Sequence, residues 1–156
     1  MKVADPAAAN FVARRTNEFI LAAMAELGGL FGGDIVLGLV FLAINQASIA
    51  HRPAARFVDP FEGDGVVPDE LRRPVAVLGV AASLGIPRET ARRHVGKLIE
   101  MGYCVRTSGR RVIVPASVYR RPEILAATQA YIRHIESLIR SLRRGGVLQA
   151  ATGEPA

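Results

Sequence analysis

The chain has 156 residues, 50% of them hydrophobic, which excludes a disordered protein and leads us to expect one globular unit with appended helices. Its net charge of +6 is unevenly distributed, because residues 1–71 carry −4 and residues 72–156 carry +10, almost all as arginine. This asymmetry favours a polyanionic partner over a simply solvated basic surface. The single cysteine, Cys104, excludes an intrachain disulfide.

The N-terminal part of the sequence gives no sign of export or membrane insertion. The first residues, MKVADPAAAN, lack the basic start and the apolar core of a signal peptide, so we expect a cytoplasmic protein. The longest unbroken apolar run, 35–44, is about half the length needed to cross a bilayer. Four glycines interrupt the sequence just before this run, so we expect no membrane segment.

Two helices are predicted in an N-terminal helical region, residues 1–52. Apolar side chains recur at helical spacing from about residue 8 to residue 27, and the glycine-rich GGLFGG then ends this helix. Asp34 is placed to cap a second helix over about 35–50, which is apolar nearly all round in its first half. That helix is therefore central in the core or shared with a second copy. Residues 53–68, with their prolines and glycines, predict a connecting loop.

Residues 69–115 are predicted to form two helices and a β-hairpin in quick succession. A short helix over 74–84 and a turn at Gly85 precede a second helix over 88–101, whose inward stripe consists of Ala91, Val95, Leu98 and Met101. Its outward positions are Arg88, Glu89, Arg92, Arg93, Gly96, Lys97 and Glu100. An ordinary amphipathic helix that binds no DNA has the same stripe. The glycine turn, the arginine-rich face and the basic hairpin that follows together favour a DNA-binding unit over such a helix.

The hairpin is predicted to have a two-residue turn at 108–109 between five-residue strands. This register pairs Val105 with Val112 on a core face and Arg106 with Arg111 on the opposite face. Two arginines directly opposite each other destabilise an isolated hairpin by roughly a few tenths of a kcal/mol. A phosphate bound between the two arginines would turn this destabilisation of the hairpin into a stabilisation. The alternative is that both side chains extend into water.

The sequence VAASLGIPRETARRHVGKLIEMGYCVRTSGRRVIV resembles the winged helix-turn-helix of bacterial transcriptional regulators, of the broad MarR, GntR and ArsR-like class. The resemblance implies a mainly α fold with a small β-hairpin wing, flanked by N-terminal and C-terminal helices. It also implies a partner, double-stranded DNA, with the recognition helix 88–101 in the major groove and the wing 103–114 on the backbone or in the minor groove. The implied DNA-binding residues are Arg88, Thr90, Arg92, Arg93, Lys97, Arg106, Arg110 and Arg111. The chain departs from the family pattern at Ala76 and Pro87, where a Ser or Thr cap is common.

A C-terminal helix is predicted from Pro122 to about Arg144, within a region 116–145 that precedes a disordered tail, 146–156. Apolar residues recur along this helix with a heptad-like spacing. They are Ile124, Thr128, Tyr131, Ile135, Leu138 and Leu142, with Leu125, Ile132 and Ile139 alongside. We expect the stripe to form a homodimer, since regulators of the resembled class bind paired half-sites. The alternative is packing against the N-terminal helices of the same chain.

The sequence offers little support for an enzyme. Its three histidines, His51, His94 and His134, lack metal-ligand spacing, and neither a nucleophile elbow nor a phosphate-binding loop is present. We therefore expect no catalytic residue, metal or cofactor, and no convergent polar cluster identifies a pocket for an effector. The main alternative function is a winged-helix adaptor that binds a protein instead of DNA.

Overall fold

A computed structural model describes residues 5–50 and 65–148, so most of the predicted loop 53–68 and of the predicted tail 146–156 lies outside the described residues. The described chain is mainly helical and contains a small antiparallel sheet of three strands, in agreement with the predicted mainly α class. The helices are α1 (Pro6–Leu30), α2 (Ile35–Ile49), α3 (Val77–Leu84), α4 (Arg88–Glu100) and α5 (Pro122–Arg144). The strands are β1 (Val75–Ala76), β2 (Val105–Arg106) and β3 (Arg111–Ile113), and short 3₁₀ turns lie at Asp69–Leu71 and Ala116–Arg120.

The chain divides into two compact units. The middle unit runs from Leu27 to Leu125 and contains the sheet with α2, α3 and α4. The terminal unit combines the chain up to Glu26 with the chain from Ala126 onward, and so contains most of α1 and α5. In this division α2 belongs to the same unit as the sheet.

The turn between α1 and α2 depends on glycine and aspartate. α1 continues to Leu30, past the first two glycines that were predicted to end it, because a glycine inside a helix costs only about 1 kcal/mol. The chain reverses instead at Gly32 and Gly33, whose φ angles of 63° and 92° are unfavourable for other residues. Asp34 then caps α2 as predicted, since its Oδ1 accepts a hydrogen bond of 2.9 Å from the Leu37 N–H.

The core of the middle unit is built around α2, which packs against α3, α4, β1 and β3. Val40 and Ile44 of α2 are fully buried. The other elements contribute the buried side chains Val80, Val95, Leu98, Val112 and Val114. The rings of Phe31, Phe41 and Tyr103 form an adjoining aromatic cluster, with centroids 5.2 to 5.8 Å apart. This arrangement confirms a central position for α2 in its own unit.

The sheet has the strand order β1-β3-β2, with antiparallel pairing on both sides of β3. Val75 of β1 pairs with Val112 of β3. The helix predicted over 74–84 is wrong for Val75 and Ala76, which form β1. Two strand residues are too few for an alternating pattern to be visible, and pairing with a strand far along the chain fixes their extended conformation.

In the terminal unit, α1 and α5 run antiparallel. Gly145, just beyond the end of α5, lies against the ring of Phe11 near the start of α1. Towards the other end of the pair, His134 Nε2 lies 3.5 Å from Glu26 Oε1. α5 has the bounds that the sequence predicted.

The heptad-like stripe of α5 divides between two faces of the helix. Leu142 is buried, and Leu138 lines a cavity together with side chains of α1, so both residues belong to the interior of the terminal unit. The side chains of Ile132, Ile135 and Ile139 instead remain 43%, 45% and 37% exposed. The single stripe predicted from the sequence is therefore corrected to an inner face and an exposed isoleucine face, defined by these three residues.

Among the described helices, none is by itself both long enough and apolar enough to cross a membrane. α1 and α2 meet that test of length and composition only as a bent pair.

Candidate nucleic-acid interface

A three-residue turn, 85–87, joins α3 to α4. Gly85 ends α3 in the left-handed conformation, with φ 64°, and its N–H donates to carbonyl groups of the last turn. Pro87 precedes α4 in an extended conformation that its ring favours. Neither Ala76 before α3 nor Pro87 before α4 supplies a side-chain cap, as the departures from the family pattern implied.

The buried face of α4 agrees with three of the four predicted positions. Ala91, Val95 and Leu98 are buried, because residues three and four apart share one side of a helix. Met101, the fourth, is 45% exposed. The helix ends at Glu100, and Gly102 turns the chain with φ 73°, so Met101 leaves the line of the stripe.

Two side chains of α4 contact Asp34 at the start of α2. His94 is buried, and its Nδ1 lies 2.7 Å from the Thr90 carbonyl oxygen, so this nitrogen is the donor. His94 Nε2 lies 3.5 Å from Asp34 Oδ1, and Lys97 Nζ donates to Asp34 Oδ2 at 3.3 Å. The sequence pattern did not predict this cluster, although the position of His94 three residues after Ala91 indicates burial.

The charge of Asp34 is stabilised by its neighbours. The hydrogen bond from the Leu37 N–H lowers the pKa of this carboxyl below its ordinary value of 3.8, and the Lys97 ammonium and His94 lower it further, against an opposing effect of burial. The same carboxylate therefore caps α2 and holds the C-terminal half of α4.

Asp34→Ala is expected to lower the free energy of unfolding by about 1 to 2 kcal/mol at pH 7, because α2 loses its cap. Since the folded-state pKa of Asp34 is lowered, its contribution is present above the ordinary value of 3.8 and is lost as the pH falls through the lower folded-state value. Denaturant unfolding at pH 7 and at about pH 3 measures both effects. Glu100→Ala, which removes an exposed acid at the end of α4, is the control. An equal difference between parent and Asp34→Ala at both pH values would show that the carboxylate charge contributes nothing.

The outward face of α4 presents arginines in two different states. Arg88 and Arg93 have exposed side chains. Arg92 forms a bidentate ion pair with Glu89, one turn earlier, through bonds of 2.8 Å from Nε and 2.5 Å from a terminal nitrogen. These hydrogen bonds lower the pKa of the Glu89 carboxyl and raise that of Arg92, while Arg93 and Arg88 lower the Glu89 value by a smaller amount. The guanidinium of Arg92 must therefore leave or share Glu89 before it binds another anion.

The hairpin differs from its predicted register by one residue. Arg106 pairs with Val112, and the Thr107 N–H donates to the Arg111 carbonyl oxygen at 2.9 Å. The connecting loop therefore contains three residues, 108–110, instead of two. The predicted pairing of Arg106 with Arg111 is wrong, so these two like charges do not lie directly opposite each other in the hairpin.

This one-residue shift exchanges the two faces of the first strand, because side chains alternate along a strand. Val105, predicted to face the core, is exposed and pairs with Ile113. Cys104, its neighbour, is buried instead, and burial raises the pKa of its thiol to about 12. The cysteine is therefore an unreactive core residue.

The loop of the hairpin carries an arginine in an unusual backbone conformation. Gly109 and Arg110 both have positive φ, at 73° and 61°. Arg110 is the one non-glycine residue with positive φ among residues 5–50 and 65–148, and this conformation costs about 1 to 2 kcal/mol for an L residue. The side chains of Arg106, Arg110 and Arg111 are exposed, and Arg111 makes a long hydrogen bond of 3.4 Å to the Pro74 carbonyl oxygen.

All eight DNA-binding residues predicted from the sequence lie in the middle unit. Seven of them are exposed, and Thr90, which is half-buried, uses its carbonyl group to accept a bond from within α4. Arg92 and Lys97 have acidic partners within this unit. The exposed surfaces of α4 and of the hairpin are therefore both strongly basic, and Glu89 is the acid that pairs with an arginine of α4.

Within residues 5–50 and 65–148, no three histidine, cysteine, aspartate or glutamate side chains lie together so that they could hold a metal ion. Comparison with protein families, with curated proteins and with solved structures finds no significant match to this chain.

Proposed function

We propose that this protein is a sequence-specific DNA-binding regulator of transcription in the cytoplasm, and that its middle unit is a winged helix-turn-helix. In this proposal α4 is the recognition helix and enters the major groove, while the hairpin of β2 and β3 is the wing and contacts the backbone or the minor groove. We propose no catalytic activity.

One observation carries the proposal: seven exposed cations are concentrated on α4 and the adjoining hairpin of a single small unit. Two helices joined by a short glycine-containing turn are typical of a helix-turn-helix, and the α3–α4 connection has that form. The third strand, β1, precedes α3 and pairs with β3, so the hairpin is attached to the start of the helix pair. This order of elements supports the resemblance found in the sequence.

The structure suggests a division of roles among the basic residues. Arg88 and Arg93 present guanidinium groups that suit bidentate contacts with guanine and phosphate. Glu89 competes with DNA for the guanidinium of Arg92, so DNA binding by Arg92 would require its ion pair with Glu89 to break. Arg110 and Arg106 on the hairpin suit contacts with the phosphate backbone, which need charge but little base specificity.

The proposal is tested by measuring the affinity for duplex DNA selected from a random library, at salt concentrations from 50 to 300 mM. A chain that neutralises five to seven phosphates with its exposed cations should give a slope of log K against log salt of roughly −4 to −6. Fluorescence anisotropy provides the measurement. Failure to select any duplex at the lowest salt concentration would contradict the proposal.

The adaptor alternative makes the opposite prediction. An apolar interface with a protein partner changes little in affinity over this range of salt, and the exposed arginines of α4 would then be a solvated surface. Retained binding of a protein partner together with absent DNA binding would favour the adaptor.

We further propose that the partner at the exposed isoleucine face of α5 is a second copy of the chain. Ile132, Ile135 and Ile139 recur at intervals of three and four residues, which is the spacing of a helix that packs against another helix. A two-fold symmetric pair would present two copies of α4 to two half-sites, and this is how helix-turn-helix proteins usually bind DNA.

A further inference from the structure

Glu89 is an ionised acid among the arginines of α4. It lies in the first turn of the helix, and the side chains of Glu89 and Arg92 are 72% and 67% exposed. Both carboxylate oxygens of Glu89 accept hydrogen bonds from Arg92. These bonds, and the charges of Arg93 and Arg88, lower the pKa of the Glu89 carboxyl below its ordinary value of 4.5. The carboxyl is therefore ionised at neutral pH.

An ionised carboxylate is unfavourable on a surface that contacts DNA unless the DNA supplies a hydrogen-bond donor. Glu89 is repelled by the phosphates, and it loses its two hydrogen bonds when Arg92 turns towards the DNA. In a helix-turn-helix, the first residues of the recognition helix contact base edges in the major groove. This inference rests on the proposed function, in which the donor that Glu89 needs is on a base.

The major-groove edges of the four bases differ in the donors that they offer. Guanine presents acceptors, thymine presents an acceptor and a methyl group, and adenine presents a donor beside an acceptor. Cytosine alone presents a donor without an acceptor. A carboxylate can only accept hydrogen bonds, so cytosine is the base that matches Glu89. The acceptors of guanine match the guanidinium of Arg92 in the same way, and the two side chains together are complementary to a C·G base pair.

We propose that Glu89 determines sequence specificity, because its carboxylate accepts a hydrogen bond from the amino group of a cytosine at a fixed position of the DNA site. Arg92 is then released to donate to a guanine. On a sequence without this cytosine, releasing Arg92 leaves the carboxylate without a donor, so the ion pair stays closed and Arg92 contributes little to binding. Glu89 thus favours the matching site and also disfavours the others.

The proposal is tested with the full chain and a duplex selected from a random library, by fluorescence anisotropy at one salt concentration. Each cytosine of the selected site is replaced in turn by thymine, which places an acceptor where the amino group was. For the parent chain, one such replacement is expected to raise the Kd roughly tenfold or more. In Glu89→Gln the new amide both donates and accepts, so the Kd values for the cytosine and thymine duplexes are expected to lie within about threefold of each other.

Glu100→Gln is the matched control for the loss of a negative charge. Glu100 is exposed and lies 11 residues after Glu89, which places it on the same side of α4 about three turns further on. Removing its charge is expected to strengthen binding to all sequences by a common factor and to leave the cytosine preference intact. Thermal unfolding is expected to be little changed in both variants, because both side chains are exposed.

Two results would overturn the role of Glu89 while DNA binding itself is retained. One is a Glu89→Gln variant that tightens binding to all sequences equally, as expected for Glu100→Gln, because Glu89 would then only repel phosphates. The other is a selected site in which every discrimination between cytosine and thymine is the same for the parent and for Glu89→Gln. A parent chain that selects no duplex would instead contradict the proposed function, and this inference with it.

Discussion

Arg93→Ala is expected to weaken binding to a selected DNA duplex by about 1 to 3 kcal/mol, and the double variant Arg92→Ala/Arg93→Ala by more than this but by less than twice as much. Arg93 has an exposed guanidinium on the proposed recognition face. Arg92→Ala alone should cost less than Arg93→Ala, because binding by Arg92 first requires its ion pair with Glu89 to break. Affinities for the selected site and for its single-base variants, measured at one salt concentration, provide the test.

The hairpin supplies the matched comparison for these variants. Arg110→Ala and Arg111→Ala should weaken binding to all sequences about equally and make the salt slope shallower by roughly one unit per phosphate contact. Thermal unfolding should be little changed in the α4 variants, because the substituted side chains are exposed. If every variant binds the selected site as tightly as the parent, α4 is not the recognition helix and the adaptor proposal replaces the regulator.

Replacing Ile132 and Ile139 together with glutamate is expected to convert a dimer into a folded monomer. Both side chains lie on the exposed isoleucine face, and burying each against a partner contributes about 1.5 to 3 kcal/mol. The dimer Kd should therefore rise at least about a hundredfold, and more if the new carboxylates meet across the two-fold axis. Light scattering at micromolar concentration and circular dichroism measure mass and folding on the same sample.

Two further substitutions on α5 make this experiment decisive. Ala126→Glu adds the same charge at an exposed position off the isoleucine face and should leave the dimer intact. Leu138→Glu places a charge in the interior of the terminal unit and should destabilise folding by roughly 2 to 5 kcal/mol. A parent chain that is monomeric at micromolar concentration would exclude the proposed dimer, and a Leu138→Glu variant that dissociates without unfolding would show that the inner face is the interface.

Local features of the fold could be predicted because local residues determine them. Asp34 caps α2, the chain turns at Gly85, and α5 ends at Arg144, as the sequence predicted. Each of these features follows from the chemistry of one residue beside a periodic segment. The buried stripe of α4 followed in the same way from helical spacing.

Features that depend on distant partners could not be predicted. The short strand β1 exists because it pairs with β3, and Lys97 contacts Asp34, which lies 63 residues earlier. The predicted hairpin register is wrong because the observed register depends on a positive φ at Arg110, which no pattern of residues suggests. By contrast, Glu89 and Arg92 lie three residues apart on a helix, a spacing at which side chains meet. Their ion pair can therefore be predicted from the sequence.

The backbone at Arg110 also bears on the entropy that the hairpin would lose on binding a partner. In the left-handed conformation the backbone sets the Cα–Cβ direction of Arg110, and holding an L residue there costs about 1 to 2 kcal/mol. Glycine at this position would relieve the backbone but would remove the side chain altogether. A contact made with this backbone unchanged would lose only the entropy of the rotamers of the Arg110 side chain.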